Sequence, residues 1–209
     1  MKPLSPQIVL VRHGETAWSR SGQHTGRTDI PLLEDGQRMG RALEPPLRAW
    51  SFATVWTSPL RRASETCVLS GHGVIAKMNP DLMEWDYGAY EGKTAKEIHV
   101  TAPEWSLWRD GAPEGETVEQ ISARADRVAE EVRRVERNVL LFSHGHFLRV
   151  FAARWLGLPP TEGRLFALST ASISVLGWNE AQPIKSTETS RAGAWCRSSG
   201  FDSTCWKSI

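Results

Sequence analysis

The sequence lacks an excess of charge of either sign and has few cysteines. Its 209 residues include 25 Lys or Arg and 24 Asp or Glu, which gives a formal net charge of +1. Such a balance excludes a broad basic surface for nucleic acid or anionic membrane, so any anion site must be built locally. The three cysteines, Cys67, Cys196 and Cys205, show neither a disulfide framework nor a metal-ligand spacing such as C-x-x-C. We therefore expect no zinc site and no redox chemistry.

Long hydrophobic runs are also missing. The first ten residues, MKPLSPQIVL, hold one lysine, two prolines and a short apolar run, which fits neither a signal peptide nor a membrane-spanning helix. The content of 40% hydrophobic and 23% charged residues is typical of one soluble globular domain with a sizeable core. The sequence thus predicts a cytoplasmic protein with no membrane or nucleic-acid partner. It leaves the oligomeric state open.

Short apolar segments alternate with helical patterns along the chain. Four of these segments, each bounded by Ser, Gly, Asn or Pro, predict strands at 8–11, 54–57, 139–142 and 173–176. A helix is predicted to begin at Thr117, where T-V-E-Q matches a capping box and apolar residues recur at helical steps as far as Val135. Another is predicted at about 147–156. The alternation indicates a three-layer α/β/α fold with a mostly parallel sheet and helices on both faces.

The character of the sequence changes after Asn179. The remaining segment is rich in Ser, Thr and Gly and shows neither helical nor strand periodicity. We expect one domain over 1–179 and a Ser/Thr-rich tail over 180–209 that is partly disordered. Two tryptophans in the tail, Trp195 and Trp206, leave open some packing against the domain.

Three predicted strands are followed by cationic or titratable residues. The first strand runs into RHGE, the second into TSPLRRASET, and the strand at 139–142 into SHGH. The carboxyl ends of parallel strands lie at one edge of the sheet, so we expect Arg12, His13, Arg62 and His144 to meet there. Guanidinium groups suit phosphate oxygens, and an imidazole serves as a nucleophile or a donor. The pattern predicts an anion site.

If the reaction at this site releases an oxygen leaving group, that oxygen needs a proton. The segment LMEWDYGAYEG offers three carboxyl groups that could donate it. These are Glu84, Asp86 and Glu91, and we expect one of them to face the site. Composition and spacing do not choose among the three.

Metal chemistry is not expected at these histidines. A pair formed by His144 and His146 is conceivable, but no cysteine or carboxylate lies beside it in the sequence. Nearby arginines would repel a cation. We therefore predict no metal and no cofactor. The sequence leaves the role of His146 open, and capping of the following helix is the simplest explanation for it. His72 and His99 lie in polar surroundings and are expected at the surface.

Five motifs, in a fixed order over residues 7 to about 179, resemble those of the histidine phosphatase superfamily, also called phosphoglycerate mutase-like proteins. They are VRHGETAWS, TGRTDIPL, TSPLRRASET, MEWDYGAYEG and FSHGH. The resemblance implies a phosphoglycerate mutase-like fold in which His13 is the nucleophile that becomes phosphohistidine. It further implies that Arg12, Arg62 and His144 hold the phosphoryl group. Glu84 would then protonate the leaving oxygen and later activate water.

The mutases of this family carry an inserted basic segment between the glutamate motif and the second histidine. Here only residues 92–143 separate these motifs, without a comparable basic cluster. The sequence therefore favours metal-independent hydrolysis of phosphomonoesters, such as sugar phosphates or bisphosphates, over phosphoryl transfer. Ser19 departs from the asparagine that many members have, so its phosphate contact does not carry over. A mutase-type phosphotransferase and a catalytically idle phosphate-binding signalling module remain the alternatives.

A narrower resemblance concerns the substrate. The patterns EWDYG-YEG, LWRDG-P-GE and SHGH-LR are similar to those of the fungal sedoheptulose-1,7-bisphosphatase type and of actinobacterial acid phosphatases of broad specificity. This implies that His24, Thr25, Tyr87 and Arg149 contact a small phosphorylated metabolite. Arg149 also has a simpler explanation, as a charge at a helix edge whose stem covers apolar surface. The alternative is a cation at the pocket mouth that takes a second phosphate or a sugar hydroxyl.

Overall fold

The computed structural model describes residues 6–177 and the backbone of 193–197. The strands are β1 (Gln7–Arg12), β2 (Thr54–Thr57), β3 (Ala76–Met78), β4 (Val139–Ser143), β5 (Ile173–Gly177) and β6 (Gly193–Arg197). The helices are α1 (Ala17–Ser21), α2 (Glu34–Ala42), α3 (Glu44–Leu47), α4 (Arg61–Leu69), α5 (Ala95–Thr101), α6 (Leu107–Asp110), α7 (Val118–Arg133) and α8 (Gly145–Trp155). Short 3-10 helices lie at Pro80–Leu82, Gly88–Tyr90 and Pro160–Leu165.

The strands form one mixed sheet in the order β3-β2-β4-β1-β5-β6. The first four strands of that order are parallel, whereas β5 runs antiparallel to β1 and β6 antiparallel to β5. The predicted α/β class is confirmed, as are all four predicted strands. Strand β3 was not predicted, and neither was the direction of β5. An apolar run indicates a buried strand without fixing the direction in which it pairs.

The sheet is covered on both faces, as predicted. Ile8 and Leu10 of β1 pack into a core that includes α7 and α8. Val9 and Val11 pack into a second core with Leu43 and other residues of the opposite layer. Alternate residues of a strand point to opposite faces, so a strand that is buried on both faces carries a continuous apolar run. This explains the run IVLV that precedes Arg12.

The two predicted helices are present with small changes in their bounds. Thr117 is the N-cap of α7, and its side chain accepts from the backbone N–H of Gln120 in a capping box. The helix ends at Arg133, so Val135, the last member of the predicted stripe, lies beyond it and packs partly buried against the core. Helix α8 begins two residues before the predicted 147 and ends at Trp155, one residue before 156.

The segment predicted as an irregular tail contributes a strand. Residues Gly193–Arg197 form β6, which pairs with β5 along the sheet edge. The sequence there has no apolar alternation, so this strand depends on the edge that β5 offers and not on a pattern of its own. The other predictions for the tail, its partial disorder and the packing of Trp195 and Trp206, lie outside the described residues. Within the described ranges, the helices are too short or too polar to cross a membrane.

Candidate active site

The carboxyl ends of three adjacent strands supply the residues of the site. In the register of the sheet, Arg12 of β1 lies opposite Ser143 of β4, and Phe142 of β4 lies opposite Thr57 of β2. The residues that follow these strand ends are therefore neighbours. The rings of His13 and His144 are 5.2 Å apart, centroid to centroid. The convergence expected from a parallel sheet is present.

His13 is held as a neutral imidazole in one tautomer. Its Nδ1 lies 2.7 Å from the carbonyl oxygen of Gly14. A carbonyl oxygen only accepts, so Nδ1 carries the proton and Nε2 keeps its lone pair. Burial, followed by the positive charges of Arg62 and Arg12, lowers the pKa of His13 well below its ordinary value. The side chain thus presents a nucleophilic nitrogen without needing a base to activate it.

Gly14 fixes the turn that carries His13. A Cβ on Gly14 would lie 2.4 Å from the carbonyl oxygen of Gly36 in α2, which no real Cβ tolerates. The Gly14 N–H also donates to the hydroxyl of Thr66 in α4 at 2.9 Å. Gly14 therefore allows a close approach to the backbone of a helix.

Arg62 lies wholly inside the protein. Its Nε donates to Nδ1 of His144 at 3.2 Å, and its terminal nitrogens donate to the carbonyls of Thr25, Gly26 and Thr28 at 2.8–3.0 Å. It is fully buried and does not belong to the wall of the cavity next to His13. Arg62 thus ties the loop at 25–28 to His144 and acts on His13 through its charge.

Arg12 retains donors that the protein does not use. One terminal nitrogen donates to the carbonyl of Leu168 at 2.5 Å, and its Nε has no hydrogen-bond partner among the described residues. The guanidinium group lies against Gly145, where a Cβ would come within 3.3 Å of it. Arg12 lines the cavity beside His13. Arg12 is therefore placed to donate to an anion beside His13, and the predicted contact of Arg62 with the phosphoryl group stays a prediction.

His144 is packed next to His13, on the side away from the cavity. Because Arg62 donates to its Nδ1, its Nε2 carries the proton and donates to the hydroxyl oxygen of Ser58 at 2.8 Å. Burial and the charge of Arg62 lower its pKa well below the ordinary value for histidine. His144 is fully buried and is not on the cavity wall. In this arrangement its proton is directed at Ser58.

Glu84 lies on the cavity wall at the N-terminus of α8. Its Oε1 accepts from the backbone N–H groups of Trp85 at 3.0 Å and Phe147 at 2.8 Å, and its Oε2 accepts from that of His146 at 3.1 Å. Free N–H groups at a helix start are common partners for carboxylates. These bonds fix the orientation of the carboxyl group. Oε2 accepts a single bond here, so it has a lone pair left for a proton.

The other two carboxylates of this segment organise loops. Asp86 accepts from the N–H of Gly88 at 3.0 Å. Glu91 accepts from the N–H groups of Gly26 and Thr28 at 2.8 and 3.1 Å. Neither is on the wall of the cavity. Among the three candidates, Glu84 is the one that faces the site.

All four residues predicted to contact the substrate lie on the cavity wall: His24, Thr25, Tyr87 and Arg149. The guanidinium group of Arg149 stacks over the ring of Trp108 at 4.5 Å, and its Nε donates to the carbonyl of Gly163 at 3.0 Å. Arg149 is therefore packed along its length and also lies at the cavity, and its contact with a substrate stays a prediction.

His146 is a cavity residue that the sequence assigned no role. Its Nδ1 lies 2.6 Å from the hydroxyl oxygen of Tyr87. Burial, followed by the charges of Arg149 and His24, lowers its pKa well below the ordinary value. Capping by its side chain, which the sequence left open, does not occur, because α8 has no side-chain cap and His146 donates its backbone N–H to Glu84. The motif SHGH was the signal, since both histidines follow the same strand end.

Three further predictions about single residues have mixed outcomes. Ser19 lies on the cavity wall, but its hydroxyl forms a capping box with Thr16 at the start of α1. His99 is exposed, as predicted. His72 is half-buried against the rings of Phe52 and Phe142, so its predicted surface position is wrong.

In the part of the chain that the structure describes, there is no cluster of three or more His, Cys, Asp or Glu residues suited to a metal ion.

Comparison with known proteins places this site in a family. An acid phosphatase of Mycobacterium tuberculosis is 41% identical over 176 residues, which covers 82% of this chain and 86% of that protein. Sedoheptulose 1,7-bisphosphatase of Saccharomyces cerevisiae is 36% identical over 190 residues, which covers 76% of this chain and 70% of that protein. The solved structure of the open reading frame Rv3214 of M. tuberculosis superposes with a TM-score of 0.82 at 36% identity, covering 91% of this chain and 95% of that one.

The sequence model of the histidine phosphatase superfamily (branch 1) matches residues 8–188 of this chain. That range contains His13, Arg62, Glu84 and His144. The chain belongs to the histidine phosphatase superfamily.

Proposed function

We propose that this protein is a phosphatase that hydrolyses phosphate monoesters of small sugars through a phosphohistidine at His13. One observation carries the proposal. His13 is neutral, its Nδ1 donates to the carbonyl of Gly14, and its Nε2 is left to attack a phosphorus atom. Next to it lies Arg12, whose Nε has no partner among the residues that the structure describes. Phosphoryl transfer depends on a positioned nucleophile and on positive charge at the phosphoryl oxygens, and this pair supplies both.

The first half of the reaction forms the phosphoenzyme. The Nε2 lone pair of His13 forms a bond to phosphorus while the bond from phosphorus to the ester oxygen breaks. Arg12 donates to the phosphoryl oxygens, and the charge of Arg62 adds to the positive potential there. The leaving oxygen takes the proton of the Glu84 carboxyl group. A positioned acid of this kind contributes on the order of 10²- to 10⁴-fold in rate.

The second half releases phosphate. Glu84, now a carboxylate, takes a proton from a water molecule as the water oxygen bonds to phosphorus and the N–P bond to His13 breaks. Inorganic phosphate leaves, and both groups return to their starting protonation. His144 takes no proton in this scheme. It accepts from Arg62 through Nδ1, so it positions a cation whose charge acts on His13.

The outer wall of the cavity supports a sugar as the remainder of the substrate. It combines hydrogen-bonding groups of His24, Tyr87 and His146 with the cation of Arg149, and the rings of Tyr87 and His24 form a T-shaped pair with centroids 4.8 Å apart. Polar groups set among rings suit the hydroxyls and the C–H faces of a small polyol. The names of the acid phosphatase and sedoheptulose bisphosphatase relatives point the same way. We expect a small phosphorylated metabolite of the cytoplasm as the substrate.

Phosphate release from a panel of sugar monophosphates, sugar bisphosphates and aryl phosphates tests the proposal, with chelator present throughout. The wild type should release phosphate and His13→Ala should release none, because the nucleophile is gone. The order of kcat/KM across the panel separates a bisphosphatase from a generalist. Conversion of 3-phosphoglycerate to 2-phosphoglycerate in place of release would instead show a mutase. Phosphate binding without turnover of any ester would show a binding module.

A further inference from the structure

The segment that carries Glu84 has its carbonyl groups held by buried side chains. Arg124 of α7 donates to the carbonyls of Asp81 at 2.7 Å, Met83 at 2.9 Å and Glu84 at 3.3 Å. The hydroxyl of Ser143 donates to the carbonyl of Leu82 at 2.6 Å. After the single turn at Pro80–Leu82 this stretch has no regular secondary structure, so these side chains replace the bonds that a helix or sheet would supply.

Arg124 is itself fixed in place. It is 7% exposed, and its Nε and one terminal nitrogen each donate to the Glu116 carboxylate at 2.7 Å, a two-bond pairing that suits the guanidinium fork. Its guanidinium group also lies over the ring of Phe147 at 5.1 Å. The backbone N–H of Phe147 is one of the donors to the Glu84 carboxyl group. One side chain therefore contacts both the backbone that carries Glu84 and a residue that orients its carboxyl group.

Glu116 extends this support to the residues after Glu84. Its Oε2 accepts from the N–H of Asp86 at 3.0 Å, and its carbonyl accepts from the indole N–H of Trp85 at 2.9 Å. The Arg124–Glu116 pair thus holds the chain on both sides of Glu84, although neither residue lies on the cavity wall.

We infer that Arg124, fixed by Glu116, is a positioning residue that sets the Glu84 carboxyl group for proton donation to the leaving oxygen. The inference rests on the proposed function. Proton transfer requires an approach of about 2.6–3.2 Å between heavy atoms, and a misplacement of about 1 Å costs on the order of 10²-fold. Loss of Arg124 should therefore harm the reactions that need the proton and spare those that do not.

The test compares two leaving groups. An alkyl phosphate such as glycerol phosphate needs a proton on its leaving oxygen, whereas p-nitrophenyl phosphate releases a stable phenolate without one. The quantity to compare is kcat/KM, since it covers steps up to the loss of the leaving group and omits hydrolysis of the phosphoenzyme. For Arg124→Met, we expect kcat/KM to fall on the order of 10²-fold with the alkyl ester and less than about tenfold with the aryl ester. The ratio of kcat/KM for the alkyl ester to kcat/KM for the aryl ester should therefore fall. Glu84→Gln should lower this alkyl-to-aryl ratio as well.

Arg127→Met is the matched control. Arg127 lies three residues further along α7 and pairs with the side chain of Asp81, in the same segment, but it is exposed and touches none of the carbonyls at 81–84. Its substitution should leave the alkyl-to-aryl ratio of kcat/KM unchanged. Equal losses of kcat/KM for the two esters in Arg124→Met would overturn the inference, because a merely structural role would lower both values of kcat/KM alike.

Two milder variants cover the case in which Arg124→Met does not fold. Arg124→Lys keeps the charge but loses the planar fork, and Glu116→Gln keeps the shape but loses the paired charge. Each should shift the alkyl-to-aryl ratio in the same direction by roughly tenfold. An unchanged ratio in both would overturn the inference. If the wild type itself releases no phosphate from either ester, the proposed function fails first, and the two failures are thus distinguishable.

Discussion

Acidification should destabilise this fold through three buried histidines. Burial is the main cause that lowers the pKa of His13, His144 and His146 well below the ordinary value, so all three stay neutral in the folded state. In the unfolded chain they titrate near 6.5, so below that pH the unfolded chain binds protons that the folded protein does not bind. Stability is therefore complete above that pH and falls as pH drops through it. Between about pH 7.5 and about pH 5.5 each histidine costs about 1.4 kcal/mol, roughly 4 kcal/mol together.

Urea unfolding at those two pH values measures this loss, and the variant His146→Gln isolates one histidine. Because glutamine does not titrate, the loss between the two pH values should shrink by about 1.4 kcal/mol. Tyr87→Phe is the control, since it removes the partner of His146 while all three histidines remain. It should lower stability at both pH values and leave the difference between them unchanged. A difference that His146→Gln does not reduce would refute the reasoning.

Three further predictions follow from single contacts. Glu84→Gln should lower kcat/KM for an alkyl phosphate by about 10²- to 10⁴-fold, measured as phosphate release, and retention of full activity would remove Glu84 as the acid. Gly14→Ala should destabilise the protein by about 1–3 kcal/mol in urea unfolding because its Cβ meets the Gly36 carbonyl. Gly177→Ala, whose Cβ meets no atom of the described residues within 4 Å, should change stability by less than about 0.5 kcal/mol. Arg149→Ala should raise KM for a sugar bisphosphate by roughly 10- to 100-fold and leave that for a monophosphate nearly unchanged, and equal KM changes would show that Arg149 takes no second phosphate.

The part of the fold that was predictable is the part in which local pattern and topology agree. The apolar run before Arg12 identifies an interior strand, and the rule for parallel strand ends brings His13 and His144 together. Thr117 was predictable as a helix start because a capping box is a local interaction. Both features need only a few neighbouring residues and one general rule.

The rest depends on contacts between distant segments. The need for Gly14 arises from the backbone of Gly36, which no pattern near Gly14 reveals. Arg124 looks like an ordinary charge on an amphipathic helix until the structure places three carbonyls around it. Likewise, the motifs do not reveal that Arg62 donates to internal carbonyls or that, within the described ranges, the Nε of Arg12 has no partner.

The central claim is that His13 carries the phosphoryl group during turnover. The direct measurement is a rapid quench during hydrolysis of p-nitrophenyl phosphate, followed by proteolysis at alkaline pH and mass spectrometry of the peptides. The account predicts one acid-labile phosphoryl group on the peptide that contains His13, and none in His13→Ala. Sustained turnover by His13→Ala, or a phosphoryl group trapped on any other residue of the wild type, would contradict it.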